Sequence, residues 1–327
     1  MPDTALSAIR SAILILLLLT GMAYMTWFER RVISRLQVRV GPDRVGVAGL
    51  LQPLADAMKL FFKEDVRPRR ADRVLFPLAP AISLFAALAA FAVIPIGRAV
   101  NVGGSSMPLG IAQMNVGLLY LVGVSSLGVY GLILGGWASG SKYSLLGGLR
   151  AAAQVVSYEL VLGLALVTVA VVSGSISLDG IVSSQSHFLP NVLLQPVAFV
   201  LYIIAAVAET NRAPFDLPEA DTELVAGYHT EYGGMRFAMF FIAEYVNVIT
   251  VSALAATMFF SGWAGPWLPG PLWLVIKMVF FLFLFVWLRA TLPRLRYDQL
   301  MHLSWSVLLP LSLLNLLITG IAVAAIG

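Results

Sequence analysis

Residues 11–28, SAILILLLLTGMAYMTWF, form an apolar run without a single charged side chain. Eighteen residues of α-helix rise about 27 Å, close to the ~30 Å of hydrocarbon in a bilayer. The run is too long for the apolar region of a signal peptide, and no small-residue cleavage site follows it. It ends at Glu29-Arg30-Arg31, a charge cluster typical of a helix that stops at the membrane surface. The stretch therefore predicts a first membrane span.

Further apolar segments of similar length follow, and together they predict an all-α polytopic membrane protein with about eight transmembrane helices. The predicted spans cover about residues 8–28, 74–96, 113–137, 152–173, 192–209, 237–261, 272–289 and 304–325. Of the 327 residues, 59% are hydrophobic and 12% are charged, whereas a soluble domain carries about 25% charged residues. We see no internal repeat and no soluble domain, so residues 1–327 are predicted to form a single membrane domain.

Basic residues are distributed unevenly among the loops. Four loops hold 18 of the 21 Lys and Arg residues: eleven in 29–73, three in 289–303, and two each in 138–151 and 210–236. Because basic loops stay on the cytoplasmic side of a membrane, we expect these loops to face the cytoplasm and both termini to face the periplasm. Lys277 lies inside the seventh predicted span, where we expect it to snorkel or to pair with a carboxylate.

The residue types limit the chemistry available to this chain. It has no cysteine and three isolated histidines, and it has no dinucleotide-binding, P-loop or HExxH motif. Thiolate-held iron–sulfur clusters need cysteine. We therefore expect no metal or covalent cofactor here, and any redox centre should lie on a partner or diffuse through the lipid.

The first basic loop contains an amphipathic segment at residues 49–65, GLLQPLADAMKLFFKED. Its apolar face carries Leu50, Leu51, Leu54, Met58, Phe61 and Phe62, and its polar face carries Gln52, Asp56, Lys59 and Lys63. This pattern predicts a helix in the plane of the interface. Two roles stay open: an anchor on anionic lipid, or the cover of an opening between spans for a lipophilic molecule. Arg39 and Arg44, just before it, are most simply charges that set topology.

Carboxylates inside the predicted spans are the strongest functional signal. Glu159 and Glu244 lie roughly 12–13 Å in from the basic side, and Glu209 closes the fifth span. An ionised acid at the centre of a membrane helix costs about 2.5–3.5 kcal/mol on insertion scales, so such residues face the bundle interior or water and often relay protons. The alternative is a neutral acid that only helps the helices to pack.

The acidic loop 210–236 adds to this signal, since residues 208–232 read AETNRAPFDLPEADTELVAGYHTEY. Six carboxylates fall in these 25 residues: Glu209, Asp216, Glu219, Asp221, Glu223 and Glu231. Pro214 and Pro218 exclude a continuous helix. Crowded carboxylates cannot all ionise together, so the loop can buffer protons, although a merely solvated acidic loop is the alternative.

Four long stretches carry a resemblance to a known family. They are residues 208–245, residues 29–65 with RVGPDRVG, residues 141–159 (SKYSLLGGLRAAAQVVSYE) and residues 289–305 (RATLPRLRYDQLMHLSW). Together they resemble the quinone-site membrane subunits, called the H subunits, of bacterial respiratory complex I, the NADH:quinone oxidoreductase. Asp43 and Asp221 stand where that family more usually has Asn and Glu, and both keep the polarity.

The resemblance implies a subunit of the bacterial cell inner membrane that frames a tunnel for ubiquinone or menaquinone and an acidic path for proton translocation. We assign to the tunnel Arg30, Arg39, Arg44, Asp56, Lys59, Phe61, Arg212, Asp216, Tyr228, Arg289 and Arg294. We assign to the proton path Glu159, Glu209, Glu219, Asp221, Glu223, Glu231 and Glu244.

The implied partners are other complex I subunits, namely the hydrophilic-arm subunits nearest the quinone and small membrane-arm subunits, together with lipid and quinone but no nucleic acid. NADH and the iron–sulfur clusters would be held by those partners. Three alternatives stay open: the equivalent subunit of a membrane-bound hydrogenase, a stand-alone proton-coupled transporter, and a pure anchor for peripheral subunits. A transporter predicts internal symmetry and broken helices at mid-membrane, which we do not see in the sequence.

Overall fold

The computed structural model describes residues 3–98, 100–102, 105–107, 110–187, 189–216 and 226–326. In these ranges the regular secondary structure is helical apart from one antiparallel hairpin, β1 (Val100–Val102) and β2 (Ser105–Met107). The helices are α1 (Asp3–Leu36), α2 (Gln52–Phe62), α3 (Leu75–Phe91), α4 (Gly117–Ala138), α5 (Lys142–Ser173), α6 (Leu178–His187), α7 (Asn191–Leu194), α8 (Pro196–Glu209), α9 (Gly234–Phe259), α10 (Gly270–Thr291), α11 (Tyr297–His302) and α12 (Leu309–Ile326). The predicted all-α class is confirmed.

Among the described residues, six helices are long and apolar enough to cross a membrane: Ser7–Leu36 of α1, then α4, α5, α9 and α10, and the continuous helix Tyr297–Ala325. That last helix joins α11 to α12 through a π-helical turn, Leu303–Leu308. Two further predicted spans coincide with the shorter apolar helices α3 and α8, of 17 and 14 residues. The chain is therefore a multi-pass membrane protein by helix length and composition, and the count of eight stays a prediction.

Helix α9 lies at the centre of the bundle and packs against α1, α3 and α10. In its most apolar 18 residues, 67% are buried, whereas the corresponding figure for α1 is 17%. A helix that is apolar on all sides and buried belongs inside a bundle. The exposed apolar sides of α1, α10 and α12 therefore form the outer surface of this chain.

Small residues allow α3, α4 and α5 to approach closely. A Cβ placed on Gly131 of α4 would lie 2.9 Å from the carbonyl oxygen of Ala79 in α3, and one on Gly136 would lie 2.6 Å from that of Ser144 in α5. Helices without a hydrophobic driving force between them associate through such small-residue contacts. This packing fixes α5, which carries Glu159, relative to the rest of the bundle.

The amphipathic helix α2 is shorter than the segment 49–65 because Leu50 and Leu51 belong to the preceding turn, and Lys63 has extended backbone angles. It lies against α1 and α9. Its apolar residues Met58 and Phe61 are 53% and 67% exposed, so the helix presents an uncovered apolar side.

Among the residues that the structure describes, Lys277 pairs with backbone carbonyls rather than with an acid. Its ammonium group donates hydrogen bonds to the carbonyl oxygens of Phe260 (2.6 Å), Gly262 (2.7 Å) and Ala264 (2.8 Å). These carbonyls directly follow the C-terminus of α9, where a cation is favoured by the helix dipole. The lysine thus ties α10 to the end of the central helix.

We predict that Gly136→Ala destabilises the protein by about 1–3 kcal/mol, because the new methyl group must displace backbone of α5. The matched control is Gly163→Ala in α5, where a Cβ meets nothing within 4 Å and the helix propensity of alanine adds up to about 1 kcal/mol. Thermal unfolding in detergent measures both. Equal melting temperatures for the two variants would contradict this packing.

Candidate functional site

A groove of about 820 Å³ lies between α1, α2 and the segment 226–242 that leads into α9. Its walls are mostly apolar and include Met22, Phe61, Phe237 and Phe241. Its polar side chains include Arg30, Asp56, Lys59 and His229. Ligand sites for small molecules have this composition of apolar walls with a few placed polar groups.

One ion pair joins α1 and α2, the two helices that border the groove. Arg30 of α1 donates from Nη1 to the Oδ2 atom of Asp56 in α2 at 2.7 Å, and Gln52 donates from Nε2 to the other carboxylate oxygen at 2.9 Å. The pair is partly exposed, so it contributes modestly to stability. Its main effect is to hold α2 in position against α1.

Tyr232 lines the groove and belongs to an aromatic stack. The ring of Tyr232 is stacked on Phe76 with 4.1 Å between ring centroids. Burial raises the pKa of Tyr232 above its ordinary value, so the phenol stays neutral at physiological pH.

Beside the groove, Glu29 of α1 is the centre of a buried charge cluster and is 6% exposed. Its carboxylate accepts a hydrogen bond from the hydroxyl of Tyr245 at 2.9 Å and forms ion pairs with Arg289 of α10 and, at 3.5 Å, with Arg212. These partners come from α9, α10 and the segment after α8. A buried carboxylate is tolerated when it is paired and hydrogen-bonded in this way.

Arg212 connects this cluster to the interior. Its Nε donates to Glu244 Oε1 at 2.7 Å, and its guanidinium carbon lies 4.2 Å from the ring centroid of Tyr245. Asp216, four residues along the chain, pairs with Arg294 at 2.9 Å and interacts electrostatically with Glu244. Arg212 is therefore shared between two carboxylates, Glu29 and Glu244.

A small internal cavity of about 50 Å³ continues inward from Glu244. It is lined by Glu209 and Glu244 together with Ser83, Tyr228 and Asn247. A cavity needs about 10–15 Å³ to hold one water molecule, so this one has room for water between the two acids.

Glu159 lies next along this line. Its carboxylate accepts a hydrogen bond from the hydroxyl of Ser126 and interacts electrostatically with Glu209. Starting at the groove, ionisable side chains therefore succeed one another as Glu29, Arg212, Glu244, Glu209 and Glu159.

The structure brings together most of the residues singled out in the sequence. Arg30, Asp56, Lys59 and Phe61 line the groove, while Arg212, Asp216, Tyr228, Arg289, Arg294, Glu159, Glu209 and Glu244 form the cluster and cavity beside it. Arg39 and Arg44 are exposed and do not line the groove, and Glu231 does not line the cavity. Glu219, Asp221 and Glu223 lie outside the described residues.

Two residues of the site were missed by the sequence analysis. Glu29 was interpreted only as part of the charged end of the first span, although it is the hub of the cluster. Gln154 of α5 is fully buried and donates from Nε2 to the carbonyl oxygens of Ala208 and Phe215, both at 2.8 Å, which fixes the segment carrying Glu209 and Arg212. Its signal was an amide side chain within an apolar helix.

Comparison with known proteins gives a consistent result over nearly the whole chain. Residues 9–320 match the family model described as NADH dehydrogenase. The chain is 58% identical over 318 residues to the H subunit of NADH-quinone oxidoreductase from Thermomicrobium roseum, covering 94% of this chain and 93% of the relative. It is 55% identical to the same-named protein of Syntrophotalea carbinolica (92% and 91% covered) and 54% identical to a second form of the same-named protein in Syntrophobacter fumaroxidans (96% and 95%).

We predict that Glu29→Gln lowers stability by about 3 kcal/mol, since removing one partner of a buried pair leaves the other charges uncompensated. This is the lower end of the ~3–5 kcal/mol typical of breaking a buried ion pair, and it applies because the Arg289 side chain is 35% exposed. The control is Asp298→Asn, whose pair with Arg296 is 65% and 78% exposed and contributes about 0–1 kcal/mol. Thermal unfolding in detergent compares them, and similar shifts for both variants would show that Glu29 is not the hub.

Proposed function

Because this chain belongs to the NADH dehydrogenase family, we propose that it is the quinone-site membrane subunit of a proton-pumping NADH-quinone oxidoreductase. The observation that carries the proposal is the direct succession from an apolar groove, through a buried ion-pair cluster, to carboxylates inside the bundle. All three relatives described above bear the name NADH-quinone oxidoreductase. No observation favours the hydrogenase, transporter or anchor alternatives.

The groove suits a quinone because its two parts match the two parts of that molecule. The apolar walls, including Phe61 and Phe241, fit an isoprenoid tail, whereas Arg30 and His229 offer polar groups to a carbonyl-bearing ring. The uncovered apolar side of α2, with Met58 and Phe61, borders the open groove, which supports entry of the substrate from the lipid. Arg39 and Arg44, which the sequence analysis assigned to the tunnel, would then act on the quinone from outside the groove.

The carboxylates beyond the groove suit proton transfer. Two-electron reduction leaves the quinone short of two protons, and general acid–base relay requires groups within hydrogen-bond reach directly or through one water. Arg212 contacts both Glu29 and Glu244, so a change of charge at one carboxylate alters its attraction to the other. Glu209 and Glu159 would extend the relay into the membrane arm. The proposed path also includes four acids of the loop 210–236, namely Glu219, Asp221, Glu223 and Glu231.

The electrons must come from partner subunits in this proposal. The chain has no cysteine, and iron–sulfur clusters are held mainly by cysteine thiolates. NADH oxidation and the clusters therefore belong to the hydrophilic arm, and small membrane-arm subunits would receive the acidic path. We place the complex in the bacterial inner membrane, with the basic loops toward the cytoplasm.

The quinone assignment predicts that Asp56→Asn raises the KM for a short-chain quinone about fivefold in the assembled complex. The substitution keeps the hydrogen bond from Gln52 but loses the ion pair that holds α2 to α1, and about 1 kcal/mol corresponds to this factor. NADH:ferricyanide activity, which needs no quinone, should not change. The control Asp179→Asn removes a carboxylate beyond the other end of α5 and should leave KM unchanged, so an unaltered KM in Asp56→Asn would contradict the assignment.

The relay predicts that Glu209→Gln lowers the number of protons moved per electron while quinone reduction continues. Glu209 forms no ion pair in the part of the chain that the structure describes, so glutamine leaves no charged partner alone. Proton uptake into proteoliposomes, measured with NADH oxidation, gives the ratio, and Asp179→Asn is again the control. A Glu209→Gln enzyme that reduces short-chain quinone and pumps at the full ratio would remove the relay from the proposal.

A further inference from the structure

A second large cavity, of about 510 Å³, opens where α3 begins, α4 ends and α5 begins. It shares no lining residue with the groove or with the acidic cavity. The side chains that matter for its chemistry are Arg70, Asp72, Leu75, Trp137, Lys142 and Leu145. It lies at the end of the bundle that carries the basic loops.

The cavity is built by a specific packing of two chain segments. The backbone N–H of Asp72 donates to the carbonyl oxygen of Ala138 at 3.0 Å. Gly140 has φ +67°, and a Cβ there would lie 2.7 Å from the carbonyl oxygen of Arg70. The first basic loop is therefore held on the turn between α4 and α5, so that Arg70 and Lys142 border the same cavity.

The positive charges of Arg70 and Lys142 are not paired with a carboxylate among the described residues. Neither Arg70 nor Lys142 makes an ion pair or side-chain hydrogen bond with another residue that the structure describes. The single carboxylate, Asp72, accepts hydrogen bonds from the N–H groups of Val74 (2.8 Å) and Leu75 (2.9 Å) at the start of α3. The lining therefore carries two basic side chains against one carboxylate, so its balance of charge is positive.

The rest of the lining is apolar and lies at the ends of membrane helices. Trp137 is 62% exposed and Leu145 is 38% exposed, and Leu75 begins α3. Tryptophan is enriched at the level of lipid headgroups. A cavity that joins unpaired basic groups to exposed apolar groups at this level matches an amphipathic anion better than it matches free phosphate, which would leave the apolar groups unused.

We propose that this cavity binds an anionic phospholipid, with Arg70 and Lys142 contacting the phosphate and Trp137 and Leu145 contacting the glycerol and the upper acyl chains. Basic pockets between membrane helices on the cytoplasmic side bind such headgroups. The site is separate from the groove, so it is independent of the quinone assignment.

The test is native mass spectrometry of the complex, purified in mild detergent, delipidated and titrated with phosphatidylglycerol or phosphatidylcholine. We expect the native protein to retain phosphatidylglycerol selectively. The double variant Arg70→Gln/Lys142→Gln should weaken that binding about 25-fold, since each basic residue near an anionic headgroup strengthens binding roughly fivefold. Both side chains are exposed, so the variant should fold.

Two further variants make the result specific. Asp72→Asn removes the negative charge while the amide oxygen can still accept from the N–H groups of Val74 and Leu75, and it should tighten phosphatidylglycerol binding. Arg35→Gln/Arg296→Gln removes two exposed charges elsewhere on the basic side and should not change it. Equal retention by the native protein and the Arg70/Lys142 variant would overturn the proposal, and displacement of the lipid by an equal concentration of inorganic phosphate would overturn the choice of lipid as ligand.

Discussion

The carboxylate of Glu29 is the point at which the helices around the site meet. It joins α1 to α9 through Tyr245, to α10 through Arg289 and to the segment after α8 through Arg212. In an apolar surrounding, two guanidinium groups need a shared counter-charge, because an unpaired buried ion is destabilising. The relative positions of groove and acidic cavity therefore depend on this cluster, and Gln154 supports it by fixing the segment that carries Arg212.

Two compartments of very different size lie on either side of the cluster. The groove, of about 820 Å³, is mostly apolar and opens beside α2. The inner cavity, of about 50 Å³, is lined by Glu209 and Glu244 and has space for a few waters. Only the first has room for a large lipophilic molecule, and Arg212 pairs with an acid on either side, Glu29 and Glu244. In the proposed enzyme this division separates the substrate from the charge that its reduction moves.

The packing between helices and the contacts at helix ends suit a protein within a bilayer. Close contacts at Gly131 and Gly136 bring α3, α4 and α5 together, and Lys277 satisfies carbonyls at the end of α9. The uncovered face of α2 and the cavity bordered by Arg70 and Lys142 both lie at the end of the bundle that carries the basic loops. In our proposals this end binds both the substrate and a structural lipid.

The sequence alone determined the class of fold, the positions of the long apolar helices, and the presence of Glu159 and Glu244 within two of them. These features are local, because hydropathy and charge can be counted along the chain. Tertiary structure alone decided which charges meet. Glu29 lies 183 residues from Arg212 and 260 from Arg289, and no periodic pattern connects such positions. It also separated Arg30, which lines the groove, from Arg39, which does not, since the folding back of α2 onto α1 decides which arginines are enclosed.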